Sequence, residues 1–200
     1  MLNCDERFLF VFDDFLPEWL VGVIDSRMQS EPWWLGHYGD VSDITHTPIF
    51  GASYVTNGGQ TGSIGNAPKE TPYVVTLLQD AIQREMPNRI PGWQYKRLFR
   101  SRSNGQMPGQ GTGPHTDGAG KGLWSAVYHI NDSDGPTRFF RTNNETKTLD
   151  SLDVEFKKGR ITVFPSYYYH QGMAPTKNWR MSFGFIFEAK TPWDNDIWVA

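Results

Sequence analysis

The segment "WRMSFGFIF" (179–187) alternates from Trp179 to Phe185. In an extended chain Met181, Phe183, Phe185 and Phe187 fall on one face, and Arg180, Ser182 and Gly184 on the other. A helix would scatter the four apolar side chains around its circumference. A strand gathers them into one face that has to be buried. The same period of two recurs upstream, and strands are predicted over 93–103, 123–130, 137–141, 153–156, 160–164 and 180–188, joined by turns rich in Gly, Pro and Asn. The chain before residue 93 has a different rhythm. "RFLFVFDDFLPEWLVGVIDSRMQS" (7–30) reads as a short strand, a break at the two aspartates, and then a helix. Asp14 suits its cap and Pro17 its first turn, while Trp19, Leu20, Val23, Ile24 and Met28 recur at helical spacing. "PYVVTLLQDAIQREMP" (72–87) is a second amphipathic helix. Helices followed by a run of strands predict a mainly β fold: an antiparallel sandwich or barrel with the helices packed on one outer face. Between the helices, residues 31–68 read as a long loop. Its aromatics, among them Trp33, Trp34, Tyr38, Phe50 and Tyr54, fit either a lid over a site or a packed Ω-loop.

The 200 residues contain no repeat, linker or low-complexity tract, and the expectation is a single domain over 1–200. Residues 1–92 would supply helical support and the lid-like loop, and 93–188 the β core. A formal net charge of −3 leaves no basic surplus for a phosphate backbone or an anionic membrane, so neither nucleic acid nor membrane is an expected partner. The short cluster "YKRLFRSR" (95–102) reads first as a solvated face. Cys4 is the only cysteine, which excludes an internal disulfide and fits a reducing, cytoplasmic setting. The opening "MLNCDERFLFVFDD" has no basic region before its short apolar run, a pattern unlike a signal peptide or a membrane span.

Chemistry concentrates in "GPHTDG" (113–118), where His115 and Asp117 are two apart. On an extended backbone both side chains enter the same space, one offering nitrogen and the other oxygen. A third ligand is needed, and His37, His46, His129 and His170 are the candidates. His170 has the best context. It ends "RITVFPSYYYHQG" (160–172) after a strand, a turn and an aromatic run, 55 residues beyond His115. His129, in "SAVYHIND", competes as a core histidine on a neighbouring strand. Two histidines and one carboxylate make the facial triad of non-haem iron(II) oxygenases, which leaves coordination positions open. Ten residues after His170, Arg180 and Ser182 project from the face opposite the phenylalanines. A buried arginine there demands an anion, and a dicarboxylic co-substrate would meet it.

Taken together, His115, Asp117, His170, Arg180 and Ser182 resemble the signature of the 2-oxoglutarate/Fe(II)-dependent oxygenases. The likeness covers roughly 93–188 and is greatest to small prolyl-4-hydroxylase-like members of the bacterial and cyanophage type. The resemblance implies a double-stranded β-helix, that is, a jelly-roll or cupin-like fold. It also implies iron(II) on His115, Asp117 and His170, with 2-oxoglutarate held by Arg180 and Ser182. The implied reaction is O2-dependent hydroxylation of an unactivated C–H bond on a peptidyl or free amino acid, with succinate and CO2 as by-products. The carboxylate of Asp117 favours hydroxylation over halogenation. Thr112 stands near where many prolyl hydroxylases carry a tyrosine, and "SDGPTRFF" (133–140) replaces a family turn. Around this set, Arg100, Arg102, Asn104, Trp124, Tyr128 and Tyr168 are candidates for the substrate or for supporting contacts. An AlkB-like oxidative demethylase and a non-catalytic jelly-roll binding module are the alternative readings.

Overall fold

The computed structural model describes residues 4–30, 33–37, 49–56, 73–142 and 149–197. Its elements run β1 (Phe10–Phe12), α1 (Glu18–Ser30), β2 (Trp34–His37), β3 (Ile49–Thr56), α2 (Tyr73–Arg89), β4 (Gln94–Gln106), β5 (Leu123–His129), β6 (Thr137–Thr142), β7 (Leu149–Val154), β8 (Ile161–Pro165), β9 (His170–Gly172), β10 (Arg180–Lys190) and α3 (Asp194–Ile197), with a 3₁₀ turn at Glu6–Phe8. The alternating segment quoted above forms β10, flanked by β5 and β4 in a seven-stranded sheet ordered β1-β8-β5-β10-β4-β3-β2. A second sheet of three strands is ordered β7-β6-β9. Every strand pairing is antiparallel.

The pleat of β10 sorts its side chains as the period of two requires. Met181, Phe183, Phe185 and Phe187 are buried. They join one apolar cluster with Leu20, Ile24 and Met28 of α1, and with Val74, Val75, Leu78, Ala81, Ile82 and Met86 of α2. Burying each such side chain stabilises the fold by about 1.5–3 kcal/mol, so this cluster fixes which way the large sheet faces. Residues directly opposed in an antiparallel pair share a face. Trp124, Ala126 and Tyr128 of β5 oppose Phe187, Phe185 and Phe183, and therefore belong to the apolar side. Ser125, Val127 and His129 oppose Ile186, Gly184 and Ser182, and belong to the other side.

Several expectations need correction. Residues 31–68 are not loop throughout, because β2 and β3 lie within them and β3 pairs with β4, extending the large sheet. The other residues of that span, including Tyr38 and His46, lie outside the described residues. Asp14 does not cap α1. It has a positive φ of 51° and precedes a helix whose first amides, those of Leu20 and Val21, donate to the carbonyl of Pro17. β7 begins at Leu149, earlier than the expected 153, because its register against β6 is set by the cross-strand pairs Arg138–Asp153 and Arg141–Asp150. At the other end of the chain, Cys4 is buried against this core. Burial first, and then the charge of Glu6, push its thiol up to about 12.

Candidate metal centre

Pairing between two segments distant in sequence brings the three candidate ligands together. The amide of His115 donates to the carbonyl of His170 and the amide of His170 donates to the carbonyl of His115, each at 2.9 Å. Two residues on, the Asp117 amide donates to the Ser166 carbonyl at 2.9 Å. The period-two geometry then turns the His115 and Asp117 side chains toward His170. One ligand atom from each of the three residues lies within 4.8 Å of the other two. Nε2 of His170 is 3.7 Å from Oδ2 of Asp117, and the two imidazole centroids are 4.6 Å apart.

Neighbouring groups fix the orientation of each donor. Nδ1 of His115 lies 2.8 Å from the Gly113 carbonyl and Nδ1 of His170 lies 2.9 Å from the Tyr168 carbonyl. A carbonyl only accepts, so both Nδ1 atoms carry the proton and both Nε2 lone pairs are free for a metal. The Asp117 carboxylate accepts from Arg100 Nη2 at 2.8 Å on Oδ1 and from the Ser125 hydroxyl at 2.7 Å on Oδ2. Ser125 is in turn 2.9 Å from the Ser166 hydroxyl. Phe164 meets the His170 ring edge-on at 4.8 Å, and Phe139 lies 5.8 Å away. Burial pushes the His170 imidazole down to about 4, so the ring is neutral at neutral pH, as a ligand must be. Burial alone would raise the Asp117 carboxyl. The charges of His170, Arg100, His115 and Arg102 outweigh it and hold the group below the usual carboxylate range. Two imidazoles and one carboxylate, fixed from behind and open in front, fit a non-haem iron(II) ion.

The triad opens into a cleft lined by β4, β5 and β10 of the large sheet and by β6 and β9 of the small one. Arg180 and Ser182 lie on its wall. The Arg180 guanidinium donates to the Gly135 carbonyl at 2.9 Å, to Gln106 Oε1 at 2.8 Å and to Thr137 Oγ1 at 2.8 Å, and its centre sits 4.3 Å over the Phe156 ring. These acceptors orient the group without neutralising it. Burial pulls Arg180 down to about 9, which still leaves it protonated. Gly172 leaves room beside it: a Cβ there would stand 2.9 Å from Gln106 Oε1 and 3.3 Å from an Arg180 nitrogen, and would displace those side-chain ends.

Of the other residues singled out from the sequence, Arg100, Arg102 and Asn104 line the cleft. Trp124, Tyr128 and Tyr168 do not. Trp124 packs edge-on against Trp93 at 5.0 Å, Tyr128 is fully buried in the apolar cluster, and the Tyr168 hydroxyl donates to the Asp5 carbonyl at 2.9 Å. For Trp124 and Tyr128 apolar area decides the placement, because their parity on the central strand β5 sets them opposite Phe187 and Phe183. His129 stands apart from the triad, stacked on Phe156 at 3.9 Å, with Nδ1 accepting from the Lys157 amide. His37 is on β2, and His46 lies outside the described residues. Sequence reasoning missed Ser125, Gln106 and Thr137. A small hydroxyl residue of opposite parity to the rings of β5 was the available signal for Ser125.

No protein-family model matches the chain, and no curated protein matches it. Solved structures do. An oxidoreductase of the 2OG-Fe(II) oxygenase family from Burkholderia pseudomallei superposes with a TM-score of 0.69 at 16% identity, over 92% of this chain and 86% of that one. A Pseudomonas putida prolyl-4-hydroxylase gives 0.56 at 19% identity, over 90% and 92%. A prolyl hydroxylase from Trichoplax adhaerens, in complex with a hypoxia inducible factor oxygen degradation domain peptide fragment, gives 0.60 at 13% identity, over 95% and 85%. At these identities the likeness defines the fold. The chain has the double-stranded β-helix of the 2-oxoglutarate/Fe(II) oxygenases, and the triad sits inside its cleft.

Proposed function

We propose that this protein is an iron(II)- and 2-oxoglutarate-dependent oxygenase of a single domain that hydroxylates an unactivated C–H bond on a peptidyl or free amino acid, in the manner of prolyl-4-hydroxylases. One observation carries the reading: a three-donor site that leaves coordination positions open shares its cleft with a buried, un-neutralised guanidinium, Arg180. A structural metal site would be closed by a fourth protein ligand, and a plain binding module needs no open face. Prolyl hydroxylases of the same fold, one of them holding a peptide, support the substrate class. We read the two helices as support on the outer face of the large sheet, and the setting as a reducing cytoplasm. Among the described residues, no helix is long and apolar enough to cross a membrane.

His115, Asp117 and His170 would hold the iron, which when bound supplies the O2 chemistry that couples oxidation of the 2-oxo acid to succinate and CO2 with hydroxylation of the substrate. The chain's own work is positional. Gly113 and Tyr168 carbonyls keep both Nε2 atoms turned inward, and Arg100 with Ser125 keeps the carboxylate in place. Arg180 and Ser182 would take the far carboxylate of 2-oxoglutarate, aligning its other end with the triad. The rings of Phe139 and Phe164 keep water from the buried side of His170.

The test is anaerobic. Iron(II) followed by 2-oxoglutarate should produce the weak visible charge-transfer band of a chelated complex, and His170→Ala should abolish it. Succinate formation under O2 then scores turnover, with peptides and methylated oligonucleotides as competing substrate panels. A well-folded, iron-loaded protein that gives neither band nor succinate would overturn the proposal in favour of a binding module.

A further inference from the structure

The cleft carries more positive charge than the proposed reaction consumes. Its charged walls among the described residues are Arg100, Arg102 and Arg180, set against the single carboxylate of Asp117. That leaves two positive charges in excess. A divalent ion on the triad would add two more, and a bound 2-oxoglutarate dianion would remove only two. The excess of two is then still without a counterion in a cleft walled on its far side by a packed sheet. A charge partly withdrawn from water in that position is unfavourable unless something compensates it.

One of these two charges has a specific location. Arg100 is paired with Asp117 and Arg180 is triply hydrogen-bonded. Arg102 has no hydrogen-bond or ion-pair partner among the described residues, and the charges that bear on it are those of Arg100 and Asp117. Two residues along the same strand face, Asn104 Oδ1 is buried and accepts no hydrogen bond. Both residues line the cleft, and across the sheet Arg102 is opposed by Gly184. A side chain at that position would have projected into the space beside the guanidinium. An alanine Cβ there would come no nearer than 3.6 Å to Asn104, so the glycine keeps room open without relieving any clash. An unneutralised guanidinium, an orphaned acceptor and an open space beside both are the mould of a ligand that presents an oxyanion and a hydrogen-bond donor.

We propose that Arg102 and Asn104 form the substrate-recognition site, and that the substrate is a small acidic molecule whose carboxylate or other oxyanion meets Arg102 while an N–H or O–H of the same molecule donates to Asn104. The proposal rests on the oxygenase reading and narrows it: the interior of a neutral peptide offers a donor but no charge, so the acidic group belongs to a free acid such as an unblocked amino acid.

The test uses protein loaded with manganese(II) and 2-oxoglutarate, a pair that does not turn over. Loading is verified first by the manganese EPR signal and by 2-oxoglutarate titration, and a failure at this stage refutes the oxygenase reading itself. The loaded protein is then titrated calorimetrically with acetate, sulfate and the neutral probe acetamide. Either oxyanion should bind, acetate ahead of sulfate if the natural group is a carboxylate and sulfate ahead if it is a phosphate or sulfate ester. Acetamide should bind at least about tenfold more weakly, as expected for loss of a charge-assisted hydrogen bond. Arg102→Gln should cancel the preference while retaining metal and 2-oxoglutarate loading. Asn104→Asp, nearly identical in shape, should cancel it independently by giving Arg102 an internal counterion. The proposal is overturned if loaded wild-type protein binds neither oxyanion, if acetamide binds as well as acetate, if both variants leave the preference intact, or if Arg102→Gln loses 2-oxoglutarate instead.

Discussion

Arg100 and Arg102 are two residues apart, share a strand face and carry the same charge, yet their surroundings give them different work. Arg100 is committed to Asp117 at 2.8 Å, with Ser125 holding the other carboxylate oxygen at 2.7 Å. A carboxylate tied at both oxygens cannot swing away from the space that the two Nε2 atoms face. Arg100 is therefore a positioning residue, and its removal should be felt by the metal. Arg100→Gln is expected to lower manganese(II) affinity by roughly 10–100-fold, the usual cost of losing a group that orients a ligand. Calorimetric titration of the folded variant checks this, and an unchanged affinity would mean that Ser125 alone positions the carboxylate. The asymmetry between the two arginines could not be read from "RLFRSRSNGQ", because spacing tells which residues share a face but not which of them finds an acid. His115, Asp117 and His170 were easier to single out, since few residue types bind metals and the i, i+2 pattern survives any register.

Among the elements, strands were legible where alternation was long and obscure where pairing alone makes the strand. β10 spans eleven residues and alternates from Arg180 to Phe185. β9 spans three, and only its pairing with β6 identifies it. β2 and β3 were hidden in a stretch rich in glycine and serine, which reads as loop until β4 supplies the partner for β3. On β5 the grouping of Trp124 with Tyr128 was legible, but whether that side lines the pocket or packs in the core was open. Period two is silent about which side is the core, and opposition to Phe187 and Phe183 decides it. The turn between β5 and β6 adds a feature with its own pH dependence. Asp134 accepts from the amides of Thr176 at 3.0 Å and Lys177 at 3.2 Å and from the Thr176 hydroxyl, tying that turn to the segment leading into β10. The Thr176 hydroxyl is the main cause that brings the carboxyl down to about 2 from its ordinary 3.8. Its folded value lies below the unfolded one, so the tie contributes stability above the ordinary value and loses it as pH falls through about 2. Amide exchange at Thr176 and Lys177, corrected for intrinsic rates, should speed up across that window. Asp134→Asn should flatten the profile, and a flat profile in the unmodified protein would refute the tie.

For the molecule as a whole, one apolar cluster joins α1 and α2 to the large sheet, and the cleft lies on the opposite side of the β10 pleat. Phe185 belongs to both, lining the cleft as well as the cluster. Leu78 is fully buried in that cluster and does not line the cleft. Leu78→Ala is expected to cost about 2–5 kcal/mol in urea unfolding while leaving manganese(II) affinity unchanged. A loss of metal affinity would instead couple the two faces. Another consequence follows from Cys4, the sole thiol, which is buried and pushed up to about 12. It stays protonated and enclosed, so maleimides and iodoacetamide have no thiolate to attack in the folded chain. Trp19 and Tyr73, 70% and 75% exposed, lie on the helices far along the chain from the triad residues. A cysteine placed at either position, as Trp19→Cys or Tyr73→Cys, becomes the one addressable sulfur. A nitroxide attached there would report its separation from a paramagnetic ion at the triad without any background label to subtract.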